Sequence, residues 1–168
     1  ELIGANKFTQ NELVPYHGKY LTSVTTHLNY YDDVDGEKGI HASVVVFEDG
    51  KLIYEQEMEN IKFNENTTQK LNKPIKIDSS KELIVGIKIH DYDAGQIPLT
   101  YESSQYSVTG KSDIYSEDNG KTWQTVHDFY DGDPQMGSCC WRITGNVTDG
   151  PDDVMGEEYN SLVGYNIF

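Results

Sequence analysis

The sequence predicts an all-β fold: an antiparallel β-sandwich, jelly-roll-like, with about eight strands and one short N-terminal helix. Three observations carry that expectation. The chain holds 12 tyrosines and 15 glycines, a bias toward strands and turns. Apolar residues recur with period two in several short runs. Turn signals punctuate those runs about every 10–20 residues. At 168 residues the chain suits one domain with a proper core. A lipocalin-like barrel would need longer, more evenly spaced strands.

The helix comes first. Thr9 and Glu12 have capping-box spacing, Phe8 and Leu13 flank them as a hydrophobic staple, and Pro15 stops the helix soon after. Gly18 then turns the chain into a strand with Val24, Thr26, Leu28 and Tyr30 on one face. Asp49-Gly50, between "HASVVVFE" and "KLIYEQEM", is a strong hairpin signal. "NTTQKL" reads as a short strand ended by Pro74, and "KELIVGIKI" as a strand buried on at least one side. "SVTGKSDIYSEDNGKTWQTV" reads as a second hairpin, and "CCWRITGNV" as the last strong strand.

Residues 1–148 therefore form the expected sandwich, and the acidic, Gly/Pro-bearing residues 149–158 read as a linker. Residues 159–168 are either an edge strand or the start of a following module.

Charge narrows the function classes. Asp and Glu total 28 against 13 Lys and Arg, and the net charge of −15 opposes nucleic acid. No stretch approaches the ~20 apolar residues of a membrane-spanning helix, so no membrane insertion is expected. Arg142 is the single arginine. That count bears on "SEDNGKTW", residues 116–123, which looks like the Asp-box turn of sialidases and related propeller glycosidases. A sialidase-type site resembles an arginine cluster clamping a sugar carboxylate, and lysines replace that fork poorly. A propeller also needs ~4–8 blades of roughly 40–50 residues. The motif is expected to be a folding device. Ser116 and Asp118 would bond the turn's backbone, Gly120 would take positive φ, and Trp123 would pack the returning strand.

Several spaced segments occur together: "FTQNELVPYHGKYLTSV", "LIYEQEM", "LNKPIKIDSSKELIVGIKI", "GKSDIYSEDNGKTWQTV" and "CWRITGNV". In this order they resemble the jelly-roll adhesin-like modules of secreted and surface proteins of Gram-negative anaerobes. The cleaved-adhesin domains attached to gingipain-type proteases are the best-known members. The resemblance implies a non-catalytic module, secreted or at the cell surface, often holding calcium, that binds a glycan or an extracellular protein. It also implies further modules in the same polypeptide. The Gly-rich, repeated-Asp loop of those modules has no clear counterpart here.

Candidate residues follow from chemistry. Calcium needs hard oxygen ligands from loops. Four loops have that composition: Asp32, Asp33, Asp35 and Glu37; Asp91 and Asp93; Asp128, Asp131 and Asp133; and Asp149, Asp152 and Asp153. Tyr92, Tyr101, Tyr106 and Tyr130 lie in loop-like contexts where a ring can stack on a sugar face. Trp123 and Trp141 read as packing residues. Cys139 and Cys140 are adjacent, which strains a disulfide, and the plainer expectation is one buried and one exposed thiol. His17, His27, His41, His90 and His127 are scattered without a zinc-helix spacing, and no nucleophile elbow appears. The expected function is binding without turnover. Two alternatives stay open: a ligand-free structural or accessory domain of a larger protease or adhesin, and a small glycoside-active enzyme using two carboxylates.

Overall fold

The computed structural model describes residues 1–29, 40–92, 97–103, 107–131, 139–153 and 160–164. Among these are twelve strands. They are β1 (Leu2–Phe8), β2 (Tyr20–His27), β3 (Ala42–Glu48), β4 (Lys51–Glu57), β5 (Asn66–Lys76) and β6 (Leu83–Ile89). Next come β7 (Tyr101–Ser103), β8 (Ile114–Ser116), β9 (Gln124–Thr125), β10 (Cys139–Trp141), β11 (Ile143–Thr148) and β12 (Asn160–Val163). The expected eight become twelve because several strands are only two to four residues long.

A six-stranded antiparallel sheet in the order β4-β3-β6-β1-β8-β9 packs on a four-stranded sheet ordered β12-β11-β2-β5. Neither sheet closes on itself, so the fold is an all-β sandwich. The chain passes between the sheets after β1, β2, β4 and β5, as in a jelly roll. A two-stranded ribbon, β10-β7, flanks them.

Alternation explains the main core. Leu2 and Phe8 of β1, Val44 and Val46 of β3, and Leu83, Val85, Ile87 and Ile89 of β6 pack in one buried cluster. From the opposing sheet come Leu21, Val24, Leu71, Ile143, Val147 and Leu162. The intervening residues of the larger sheet, Ile3, Ala5, Val45, Phe47, Ile84 and Ile114, form a second cluster with Trp123 packed against it. The six-stranded sheet is therefore apolar on both faces at its middle, which is why β6 reads as a nearly continuous apolar run.

Several local expectations hold and others are corrected. Phe8 and Leu13 are buried together at the ends of α1 (Gln10–Leu13), where the Glu12 carboxylate accepts from the Thr9 N–H at 2.8 Å. Pro15 falls in a 3-10 turn over Val14–Tyr16. A second short helix, α2 (Val126–Phe129), was not foreseen. Asp49 and Gly50 both take positive φ, 47° and 76°, and close the β3–β4 hairpin.

Two strands differ from the sequence expectation. Pro74 does not end β5, which runs to Lys76, because β5 is an edge strand and its pairing with β2 shifts register between Leu21 and Ser23. "CCWRITGNV" is two strands: β10 pairs with β7, then the chain changes sheet at Arg142 and β11 pairs with β2. β1 itself was missed, since "LIGANKF" shows a short, weakly patterned run that only its central position between β6 and β8 makes a strand. At the other end, β12 pairs with β11. Residues 149–153 form a turn in which the Asp153 carboxylate accepts from the Gly150 N–H at 2.6 Å.

Candidate functional site

The Asp-box forms a tight β8–β9 hairpin. The Ser116 hydroxyl donates to the Asp118 carboxylate at 2.8 Å and accepts from the Gly120 N–H at 2.8 Å. Asp118 also accepts from the Thr122 N–H at 2.9 Å and the Thr122 hydroxyl at 2.7 Å. Those bonds from Thr122, reinforced by Ser116, hold the Asp118 carboxyl down at about 2. Asn119 and Gly120 take φ of 61° and 81°. A Cβ on Gly120 would lie 2.4 Å from the Phe47 ring, and Trp123 meets that ring edge-on at 5.4 Å. The turn thus covers the outer apolar cluster. Its polar groups are spent on itself.

The hairpin leads into α2. The Thr125 hydroxyl caps α2 by accepting from the Asp128 N–H at 3.0 Å. At the other end of this one-turn helix Phe129 is 67% and Tyr130 40% exposed. Their rings meet edge to face at 5.0 Å, and the Tyr115 ring meets Phe129 the same way at 6.4 Å. The Tyr115 hydroxyl donates to Gln124 at 3.0 Å, which fixes that ring. Asp128 and Asp131 are exposed on the same short segment. The result is an aromatic platform edged by carboxylates. Tyr130, Asp128 and Asp131 were singled out in the sequence; Phe129 and Tyr115 were not, because nothing local separates an exposed aromatic from a buried one.

The other sequence candidates do not gather there. Tyr92 packs half-buried against the main core. Tyr101 is partly exposed, with its ring edge-on to Trp141 at 5.9 Å. Asp91 is exposed, and Asp149 pairs with Lys19 at 3.2 Å. Asp32, Asp33, Asp35, Glu37, Asp93, Tyr106 and Asp133 lie outside the described residues. Among the described residues no three His, Cys, Asp or Glu side chains converge to hold a metal ion.

A second polar grouping sits on the outer face of the six-stranded sheet. The Ser43 hydroxyl is 2.8 Å from His90 Nε2, and His90 Nδ1 is 3.4 Å from the Glu1 carboxylate. Lys88 joins Glu1 at 3.8 Å and Glu55 at 2.9 Å. Hydroxyl, imidazole and carboxylate in that order are the parts of an activated serine. Ser43, however, is only 2% exposed, and it sits mid-sheet, paired with Glu57 on one side and Lys88 on the other. A substrate carbonyl has no approach to it. The grouping ties the starts of β1 and β3 to the end of β6.

The third grouping is a cleft of about 150 Å³ where β10 hands over to β11. Arg142, Glu102, Thr25, Asn66, Thr144 and Gly164 help to line it. Behind it lies Asn6, fully buried, whose amide donates to the carbonyls of Trp141 at 3.3 Å and Ile143 at 2.9 Å. These two bonds grip the chain on either side of Arg142. Cys139 and Cys140 are both buried and unbridged, correcting the expectation of one exposed thiol. Burial, then the nearby Glu102 charge, pushes the Cys140 thiol up to about 12, so it stays protonated at neutral pH.

Among the described residues no helix is long and apolar enough to cross a membrane. No family model, no curated protein and no solved structure matches this chain.

Proposed function

We propose that the chain is a non-catalytic binding module that recognises a glycan through the platform of Tyr115, Phe129 and Tyr130. The observation that carries this reading is the exposure of Phe129, 67%, beside two further aromatic rings and the carboxylates of Asp128 and Asp131. Apolar rings held out in water have a hydration cost that a sugar's C–H face relieves. Carboxylates beside them accept from sugar hydroxyls. The rings are held by short, capped backbone and by one another, so little ordering entropy is lost on binding. Secretion or surface display, further modules in the same polypeptide, and calcium in the acidic loops belong to the same reading, on the strength of the adhesin-like segment order.

A glycan array probed with the chain, with and without EDTA, tests it. Binding that falls roughly tenfold or more in Phe129→Ala and Tyr130→Ala supports the platform. Loss on chelation and recovery with Ca²⁺ adds the cation. An array with no hit leaves a ligand-free spacer. Turnover of a glycoside, lost on changing one acid pair, replaces the binding reading with an enzyme.

A further inference from the structure

The cleft at the β10–β11 junction is lined by two opposite charges, Arg142 and Glu102. Register places Cys140 opposite Glu102 and Trp141 opposite Tyr101, and the Arg142 N–H donates to the Thr100 carbonyl at 3.0 Å. Side chains alternate across a ribbon, so Glu102 and Cys140 share one face and Tyr101 and Trp141 the other. Arg142, at the bend that follows, lines the cleft with Glu102, Cys140 and Trp141. Arg142 and Glu102 nonetheless form no ion pair with each other. Among the described residues neither side chain has a hydrogen-bond or ion-pair partner. Arg142 is the chain's single guanidinium, standing in a protein of net charge −15 with 28 acidic residues. It also stands between the two carbonyls to which the Asn6 amide donates. With both amide hydrogens of Asn6 committed to those carbonyls, its Oδ1 is left buried without a partner. Gly164 seals the same spot, since a Cβ there would lie 2.6 Å from the Asn6 amide carbon.

We infer that this cleft is a subsite for an acidic sugar, with Arg142 taking the carboxylate of a hexuronate. The inference rests on the glycan-binding reading and adds the ligand's class. A planar guanidinium meets a carboxylate with two parallel N–H···O bonds, which no lysine here can do. Thr144 and Asn66 supply a hydroxyl and an amide that suit ring hydroxyls, and Glu102 accepts from one. The Thr25 hydroxyl at the cleft wall is bonded to Thr68 at 2.7 Å and accepts from the Asn146 amide at 3.0 Å. The cleft is small: about 150 Å³ against the ~300–1,000 Å³ of pockets that bury drug-sized ligands. It therefore takes one sugar residue of a chain whose remainder lies outside. The protein's net negative charge opposes an anion at long range. At physiological ionic strength that field is screened within about 8 Å, and the contact with Arg142 decides.

Amide-resolved NMR titration of the 168-residue chain with methyl glucuronide and, separately, methyl glucoside tests the proposal. The expected result is shift changes at Thr25, Arg142 and Thr144 with the glucuronide and none there with the glucoside. Arg142→Ala and Arg142→Lys should each weaken glucuronide binding roughly ten- to a hundredfold, the Lys variant less. Both variants change an exposed side chain, and unchanged spectra elsewhere confirm folding. Equal response to the two sugars, or glucuronide binding indifferent to Arg142→Ala, overturns the inference. Shifts confined to Phe129 and Tyr130 also overturn it but leave the glycan reading standing. No response to any sugar, including the array, sinks both.

Discussion

At the tip of the β8–β9 hairpin, Ser116, Asp118 and Thr122 exchange hydrogen bonds with one another and with the turn's backbone. At the β10–β11 junction, Arg142 and Glu102 line a cleft, and among the described residues their side chains have no hydrogen-bond or ion-pair partner. Both regions are polar, and the sequence marks the first with a motif and the second with only a lone arginine. The difference separates polarity that builds structure from polarity that is available to a ligand. A carboxylate already accepting three bonds from its own turn has little left to offer a ligand. A guanidinium with no partner among the described residues offers five donors.

That contrast is exposed to measurement, beginning where the effect should be greatest. Gly120→Ala places a methyl 2.4 Å from the ring of Phe47, which is 2% exposed and braced by Trp123, at a φ of 81°. Backbone strain and overpacking together should cost about 2–4 kcal/mol, read from denaturant unfolding. A loss below ~1 kcal/mol would mean that the turn is not seated on the outer cluster.

Next in size is a pH effect. The Asp118 carboxyl falls from 3.8 to about 2 in the folded chain, chiefly through Thr122 and then Ser116. A depressed acid stabilises the fold above its unfolded value and loses that contribution as pH falls through the folded one. Trp123 fluorescence should therefore report loosening between about pH 4 and pH 2. In Asp118→Asn this step should vanish and the turn should be weaker at neutral pH. An unchanged acid transition in that variant would assign the step to other carboxylates.

Least in size, Arg142→Ala should leave thermal stability within about 0.5 kcal/mol, because its exposed side chain has no hydrogen-bond or ion-pair partner among the described residues. A much larger loss would place Arg142 on the structural side of the contrast and remove the ground for a ligand there.

How much was legible follows from the range of each interaction. The capping box at Thr9–Glu12, the Asp49-Gly50 turn and the Asp-box all join residues at most four apart, so their chemistry is written in consecutive letters. β1 was invisible because its pattern, with Gly4 and Asn6 on the inner face, becomes a strand only through pairing with β6 and β8. Pro74 misled because local rules say that proline ends a strand, whereas an edge strand with a register shift tolerates it. The aromatic platform was half legible. Tyr130, Asp128 and Asp131 stood out by loop context, but the exposure of Phe129 depends on where α2 points.

By itself, then, the sequence determined the all-β class, the turns, the alternating core faces and the exclusion of a sialidase-type arginine cluster. Each of these depends on period-two patterning, on residues a few positions apart, or on a count. Tertiary structure alone decided that β6 is buried on both faces, that both cysteines are buried, and that Arg142, its side chain unpaired among the described residues, stands over a buried asparagine 136 positions upstream. Those facts need long-range pairing, and the choice of which strand lies beside which is made by whole-sheet burial rather than by any stretch of the chain.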